Sequence, residues 1–258
     1  MKIWYQSFAS FKRLPNYGRA LEEFLGKLCN ERVSFEVHGL DSGGVGDEYR
    51  VFEFFDTNQI IKNALVAGRS GFQAYAIGNI LDPGLYESRQ ISKIPVLGLC
   101  ESSLFVSTLM CKKISFITVN ENFIPRIEEN VRRYGLWDRL KGIGTIKMEV
   151  EDLDLAYGDK TIRKRIINKF TEEVRPLIRE GAEVIIPAGG VAMLLLALLG
   201  VHHVDGVPIV NGIIALTNVA EMMVRFQETT GVFISRRMTY VFPEEKRWRE
   251  ALTVYGLE

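Results

Sequence analysis

Short apolar runs rich in β-branched residues alternate along the chain with longer segments whose apolar residues recur at helical spacing. The runs predict strands at residues 2–5, 34–38, 74–77, 95–99, 114–118, 144–148, 184–186 and 208–210. Helical spacing marks residues 21–28, 60–65 and 161–179. This alternation is typical of an α/β protein with parallel sheets flanked by helices, because doubly covered strands are apolar throughout.

The strands at 74–77 and 184–186 have matching surroundings. Each ends in a turn of small residues that we expect to open a helix, and each is followed by a strand led by proline. The equivalent turn positions, Asn79 and Ala188, lie 109 residues apart. This internal repeat predicts two similar lobes, residues 1–97 plus 212–258 and residues 98–211. Ligands of open α/β sheets bind beyond the carboxyl ends of the strands, so the cleft between the lobes is the expected site.

Charge and cysteine usage narrow the class of partner. Lys plus Arg equals Asp plus Glu at 32 each, so nothing favours a nucleic acid or a membrane surface, and a small-molecule substrate is expected. Three cysteines without close pairs indicate a reducing compartment, which we take to be the cytoplasm. The longest apolar stretch, residues 191–201, is too short for a membrane span and predicts a buried helix. No metal-ligand spacing or nucleotide-binding loop occurs, so neither a metal nor a cofactor is expected.

Several motifs, in chain order, resemble one family. They are residues 1–7 (MKIWYQS), 82–85 (DPGL), 95–103 (PVLGLCESS), 116–118 (FIT), 134–136 (YGL) and 206–212 (GVPIVNG). Together they are similar to the hydantoin and allantoin racemase branch of the aspartate/glutamate racemase superfamily. The resemblance implies a cofactor-independent homo-oligomeric enzyme that acts on a small carboxylate or a hydantoin-like cyclic amide. It also implies two opposed cysteine thiols that exchange a proton with an enolate-type intermediate.

This chain departs from that pattern at both thiol positions, which hold Asn79 and Ala188. Asn is not a useful base and Ala has no proton to exchange, so the two-thiol mechanism is excluded. Three interpretations stay open. The chain is an isomerase or lyase with altered chemistry, a non-catalytic binding protein for a carboxylate or imide, or a one-cysteine decarboxylase or isomerase inactivated by an engineered Ala188.

The remaining candidate residues follow strand ends. Backbone N–H groups at Ile80, Gly189 and Gly190 are expected to bind an anion from helix N-termini. The resemblance implies that polar positions at two other strand ends hold the substrate, namely Gln6, Ser7, Val119 and Asn120.

Other polar and ionisable groups are candidates for direct roles. Glu101 is a candidate carboxylate base or a helix cap, Cys100 is the nearest thiol, and Asp82 is expected to cap its own helical turn. A histidine at 202 or 203 is a further candidate acid or base. The glycine-rich segment 43–46 predicts a loop over the mouth of the cleft.

Overall fold

The computed structural model describes residues 1–257 and contains two parallel sheets flanked by helices, one in each of two lobes. This confirms the predicted fold class. The first sheet has the order β2-β1-β3-β4, from β1 (Lys2–Ser7), β2 (Ser34–His38), β3 (Ala74–Gly78) and β4 (Val96–Gly98). The second has the order β6-β5-β7, from β5 (Ile114–Thr118), β6 (Leu140–Thr145) and β7 (Val184–Ala188).

Helices connect successive strands and cover the sheets. Those associated with the first sheet are α1 (Pro15–Leu28), α2 (Arg50–Arg69), α3 (Leu85–Ile91) and α4 (Leu99–Thr108). Those that follow are α5 (Ile124–Arg133), α6 (Val150–Leu155), α7 (Lys160–Arg179), α8 (Gly190–Leu198), α9 (Gly212–Thr230) and α10 (Glu245–Val254). Helix α9 packs against β3, β4 and α4, which brings the chain back to the first sheet.

Strands β3, β5 and β7 are buried along their whole length. β3 and β7 carry apolar side chains on both faces, as parallel strands between helix layers require. β1 pairs with β3 so that Ser7 lies opposite Gly78, and β5 pairs with β7 so that Thr118 lies opposite Ala188. The carboxyl ends of these four strands therefore finish level with one another within each sheet.

Two of the predicted strands do not form as expected. The strand expected at 144–148 is instead β6 at Leu140–Thr145, an edge strand with glycines at 142 and 144 in place of an apolar run. Residues 146–148 extend beyond it, where the amides of Ile146 and Met148 donate to carbonyls of β5 and the residue after it. The run at 208–210 divides between β9 (Val207–Pro208), antiparallel to β8 (His203–Val204), and a single parallel bridge from Ile209 to Ile185.

Several side-chain caps determine where the helices begin. Asp159 accepts hydrogen bonds from the amides of Thr161 and Ile162 at the start of α7. Asn211 does the same for α9, while its amide group donates to the carbonyl of Met193 at 2.6 Å. The start of α9 is thereby tied to α8. Helix α8 is buried at residues 192–196, which confirms the prediction of a buried helix in the apolar stretch 191–201. Throughout the part of the chain that the structure describes, every helix is too short or too polar to span a bilayer.

Polar contacts also join the two lobes. Asp154 of α6 accepts hydrogen bonds from the side chain of Asn16 at 3.0 Å and the amide of Tyr17 at 2.7 Å, at the start of α1. Arg126 of α5 forms a largely buried ion pair with Glu53 of α2. Because the partners in each contact come from different lobes, these contacts restrict the width of the cleft between them.

Candidate functional site

A cavity of about 280 Å³ lies where the carboxyl ends of β1, β3, β5 and β7 meet. Most of the site residues expected from sequence line it: Ser7, Asn79, Ile80, Val119, Asn120, Ala188, Gly189 and Gly190. A volume of this size suits a small ring with a short substituent. The segment 43–46, predicted to cover the cleft mouth, contributes residues 44–46 to the same lining, and the next two residues, Asp47 and Glu48, also line the cavity.

The two repeated turns approach each other closely at this cavity. A Cβ atom added to Gly190 would lie 3.4 Å from the carbonyl oxygen of Gly78 and 2.8 Å from the hydroxyl oxygen of Tyr17. Gly189 adopts φ = 122°, a conformation that side-chain-bearing residues rarely take. Both glycines are therefore required by the geometry, one for the backbone path and one for the narrow gap between the turns.

The two turns differ in how they continue. After β7 the chain enters α8 at Gly190 at once, so free N–H groups of the first turn of α8 lie at the cavity. After β3 it passes through residues 79–84 before α3 begins at Leu85. A helix does open after this turn, as predicted, but Ile80 does not lie at its N-terminus as expected. Asn79 instead folds the chain into a tight turn, in which its side-chain oxygen accepts a hydrogen bond from the amide of Leu81 at 2.7 Å.

The other end of the Asn79 side chain holds a carboxylate. Its amide nitrogen donates to Oδ2 of Asp47 at 2.6 Å. Burial raises the pKa of Asp47, opposed by the hydrogen bond from Asn79 and by the charge of Arg126. The first of the two positions that lack a thiol is thus occupied by an amide–carboxylate pair, in which the carboxylate comes from the loop over the cavity.

Ala188 ends β7 and is almost fully buried. It contributes a methyl group at the second position where the resemblance implies a thiol, two residues before the start of α8 at Gly190. The surrounding lining supplies backbone groups and the hydroxyl of Tyr17. Burial raises the pKa of Tyr17 to about 12, although a hydrogen bond with Ser7 lowers it in part. Tyr17 therefore keeps its proton at neutral pH and can act as a hydrogen-bond donor.

The mouth of the cavity is acidic. Glu48, Glu149 and Glu151 line it together with one cation, Arg13. Arg13 is paired with Glu151 at 3.4 Å. Burial raises the pKa of Glu48, and the nearby charges of Asp47, Glu149 and Glu151 raise it further. With Asp47 ionised, four carboxylates face one guanidinium, so the electrostatic potential at the mouth disfavours an incoming anion.

Two residues expected at the site do not line the cavity. Gln6 is completely buried beside β2, where its amide nitrogen donates to the carbonyl of Ser7 and its oxygen accepts from Trp4 and Asn63. Glu101 forms a bidentate ion pair with Arg89, with one contact at 2.9 Å. Both side chains are held by partners within the first lobe, and these contacts direct them away from the strand ends.

The other reactive groups also lie elsewhere. Cys100 is fully buried, and burial raises the pKa of its thiol well above the usual range. The negative charges of Asp82 and Glu101 raise this pKa further. A thiol in that environment is a poor nucleophile or base. His202 and His203 are exposed and do not line the cavity. Within residues 1–257, no group of three or more His, Cys, Asp or Glu side chains is arranged to hold a metal ion.

Asp82 caps a helix, although not the one predicted. Its two carboxylate oxygens accept hydrogen bonds from the amides of Cys100 and Glu101 at 2.9 Å each, at the start of α4. Tyr134, the residue after α5, donates its hydroxyl to the same carboxylate at 2.6 Å. The residue lies three positions after Asn79 and is almost fully buried. Asp82 therefore links the turn behind the cavity to α4 and to the second lobe.

Sequence reasoning missed Asp47, Glu48, Arg13 and Tyr17 as cavity residues. The signal available for the first two was the acidic pair that follows the glycines at 43–46, in a loop already expected over the cleft. For Arg13 and Tyr17 no local signal existed, because a polar turn and the first turn of an amphipathic helix reach the cavity only through packing of the two lobes.

Comparison with known proteins gives one consistent family. The family profile described as Asp/Glu/Hydantoin racemase matches residues 55–220. A hydantoin racemase of Pseudomonas sp. (strain NS671) is 28% identical over 207 residues, which cover 79% of this chain and 78% of that protein. Two solved structures share the fold: allantoin racemase from Klebsiella pneumoniae, with TM-score 0.72 and 19% identity, and that from Pseudomonas fluorescens, with TM-score 0.74 and 18% identity. They cover 95% of this chain, and 94% and 97% of their own chains, respectively.

Proposed function

This chain belongs to the Asp/Glu/hydantoin racemase family, and from that premise we propose that it is a cofactor-independent enzyme performing proton transfer at one face of a carbon acid. The observation that carries the proposal is the 2.6 Å hydrogen bond between Asn79 and Asp47 in the cavity lining. It supports a carboxylate base at the position where the resemblance implies a thiol. Burial raises the pKa of Asp47, which makes its carboxylate a stronger base than an exposed one.

The substrate we propose is an uncharged cyclic amide of the hydantoin type. Four carboxylates and one arginine line the cavity, a balance that repels small dicarboxylates and tolerates a neutral ring. When Asp47 removes the proton, negative charge develops on the carbonyl oxygen of the ring. Donors available for that oxygen are the amides at the start of α8, near Gly190, and the hydroxyl of Tyr17.

The stereochemical course follows from the absence of an acid on the second turn. Ala188 has no proton to give, so the proton or its solvent replacement returns from Asp47 to the face it left. We therefore expect exchange with retention of configuration. An enantiopure 5-substituted hydantoin in heavy water should gain deuterium at its acidic carbon, measured by NMR, while its optical rotation stays constant apart from the uncatalysed background.

The matched variants are Asp47→Asn and Asn79→Ala. Asp47→Asn keeps the shape and should lower the exchange rate by about 10²–10⁴-fold, the usual contribution of a general base. Asn79→Ala leaves the carboxylate but not its orientation, and should have a smaller effect. Exchange unchanged in Asp47→Asn rules out this base. Racemisation that disappears in Tyr17→Phe would instead identify a second acid on the opposite face.

A second candidate rests on Ala188 itself. A cysteine at this position would lie at the N-terminal end of α8, where a thiolate is stabilised. If the chain as it stands exchanges nothing while Ala188→Cys exchanges hydantoins or decarboxylates arylmalonates, the site is a one-cysteine enzyme that lacks its thiol. If neither form turns over but hydantoins raise the melting temperature with the logarithm of their concentration, the protein is a binding protein.

A further inference from the structure

The first turns of α2 are inverted with respect to the usual distribution of apolar and charged residues. Val51, Phe52, Phe54 and Phe55 are all exposed, whereas Glu53 between them is 8% exposed and paired with Arg126. At 3.6 residues per turn the four apolar residues cover an arc of about 160° on the outer side of the helix. A charged residue facing inward with aromatic residues facing outward is the arrangement expected when the outer side meets another apolar surface.

This outer side forms a continuous aromatic surface, which we call the α2 face and define as Val45, Tyr49 and residues 51, 52, 54 and 55. The exposed fractions of its four rings are 53% at Tyr49, 39% at Phe52, 77% at Phe54 and 68% at Phe55. With roughly 150–250 Å² for each ring, they expose about 500 Å² of apolar surface, and the two valines add to it. Tyr49 packs edge-on against Phe52, and Phe54 packs edge-on against Phe55, so the four rings form two pairs along the helix.

We propose that the α2 face is the contact between two copies of this chain. A standard interface takes about 800 Å² from each partner, and the rings alone supply more than half of that area as its apolar centre. A two-fold arrangement places the same face on both sides, so each aromatic cluster meets an identical apolar cluster. The surrounding polar residues would then form the rim.

The charges around the face argue against a lipid surface as its partner. Asp47, Glu48 and Asp56 adjoin the residues of the face in sequence, and Arg50, the cation between Tyr49 and Val51, is paired with Glu129. Interfacial helices that bind anionic membranes carry Lys and Arg on their polar side instead. A second copy needs no positive charge at this position, because the contact depends on burial of the rings.

The proposed contact also bears on the cavity. Val45 belongs both to the α2 face and to the cavity lining, and it is followed by the loop residues that include Asp47. The amide of Gly44 donates to Asp56 of α2 at 2.8 Å, which ties the loop to the helix. Association through the α2 face would therefore restrict the movement of the loop that covers the cavity mouth, whereas in a monomer Val45 stays exposed to solvent.

Sedimentation velocity over a range of protein concentrations tests the proposal. We expect the natural chain to sediment with twice the monomer mass, and the double variant Phe54→Ser with Phe55→Ser to be monomeric with an unchanged circular dichroism spectrum. Loss of an aromatic anchor should weaken association on the order of 30-fold or more for each ring. Leu109→Ser is the matched control, because Leu109 is also an exposed apolar residue, at the end of α4, and its loss should leave the dimer intact.

Three results would overturn the proposal. The first is a natural chain that stays monomeric at the highest concentration. The second is an assembly that persists in the double serine variant, or that dissociates with Leu109→Ser instead. The third is a monomer that co-sediments with neutral or anionic phospholipid vesicles, which would assign the face to a lipid surface. None of these readouts depends on catalytic activity, so they are independent of the proposed proton transfer.

Discussion

Replacement of Asp82 by Asn should remove one contribution to the pH dependence of the free energy of unfolding. Asp82 is buried behind the cavity and accepts hydrogen bonds from two amides of α4 and from Tyr134. Burial raises the pKa of its carboxyl from 3.8 to about 7, although the hydrogen bonds from Tyr134, Glu101 and Cys100 act in the opposite direction. The folded protein therefore keeps a proton on Asp82 that the unfolded chain releases near pH 4.

The sign and size of the effect follow from this difference in pKa. Between about pH 4 and pH 7 the folded state binds more protons than the unfolded state, so the free energy of unfolding falls as the pH rises and levels off above about pH 7. Each pKa unit corresponds to about 1.4 kcal/mol, so the rise to about 7 amounts to about 4 kcal/mol. The carboxamide that Asp82→Asn introduces does not titrate, and it retains a side-chain oxygen for one of the backbone amides.

Urea denaturation at a series of pH values, followed by tryptophan fluorescence at one protein concentration, measures the effect. We expect Asp82→Asn to gain about 3 kcal/mol relative to the natural chain between pH 4.5 and pH 8, because part of the total change lies below pH 4.5. The control is Asp159→Asn at the exposed cap of α7. The amides of Ile162 and Thr161 lower the pKa of Asp159, so its contribution is lost only in more acidic solution and its difference should be flat over this range.

A raised pKa at Asp82 is refuted if the difference in stability between Asp82→Asn and the natural chain is independent of pH, or if that difference falls as the pH rises. Either result would mean that three hydrogen-bond donors stabilise the carboxylate more than burial destabilises it. The same experiment thus decides which of the two opposing effects is larger at the junction between the turn after β3, α4 and the second lobe.

Three further substitutions test contacts around the cavity and the C-terminal segment. Gly190→Ala should lower stability by about 1–3 kcal/mol, because the new methyl group meets the hydroxyl of Tyr17, and it should weaken the thermal shift given by hydantoins. Arg126→Met should cost about 3–5 kcal/mol in urea denaturation by leaving Glu53 buried without its partner, and adding Glu53→Leu should recover most of that loss. Arg236→Ala removes a guanidinium that binds carbonyls at the end of α3 and should lower the melting temperature, with Arg236→Lys restoring only part.

Sequence predicts best the strands with a clear residue pattern, which is an apolar run in β5 and an alternation of apolar and polar residues in β2. The bounds of β2 and β5 agree with the prediction, and β3 and β7 differ from it by one or two residues at the carboxyl end. β6 was misplaced because an edge strand needs hydrogen bonds on one side only and tolerates glycine, so its pattern is weak. Neighbouring positions in sequence could not reveal Asp47, because its contact with Asn79 joins residues 32 positions apart.

The stereochemistry of the proposed reaction depends on what each turn offers to a bound carbon. On one side Asn79 holds the carboxylate of Asp47, and on the other Ala188 offers only its methyl group and the amides that follow it. Inversion requires a base on one face and an acid on the other, whereas exchange requires a base alone. The proposed site has a buried carboxylate but no thiol at either turn, so it would carry out the first step of racemisation without the second. Deuterium uptake and optical rotation, measured on the same sample, separate these two steps directly.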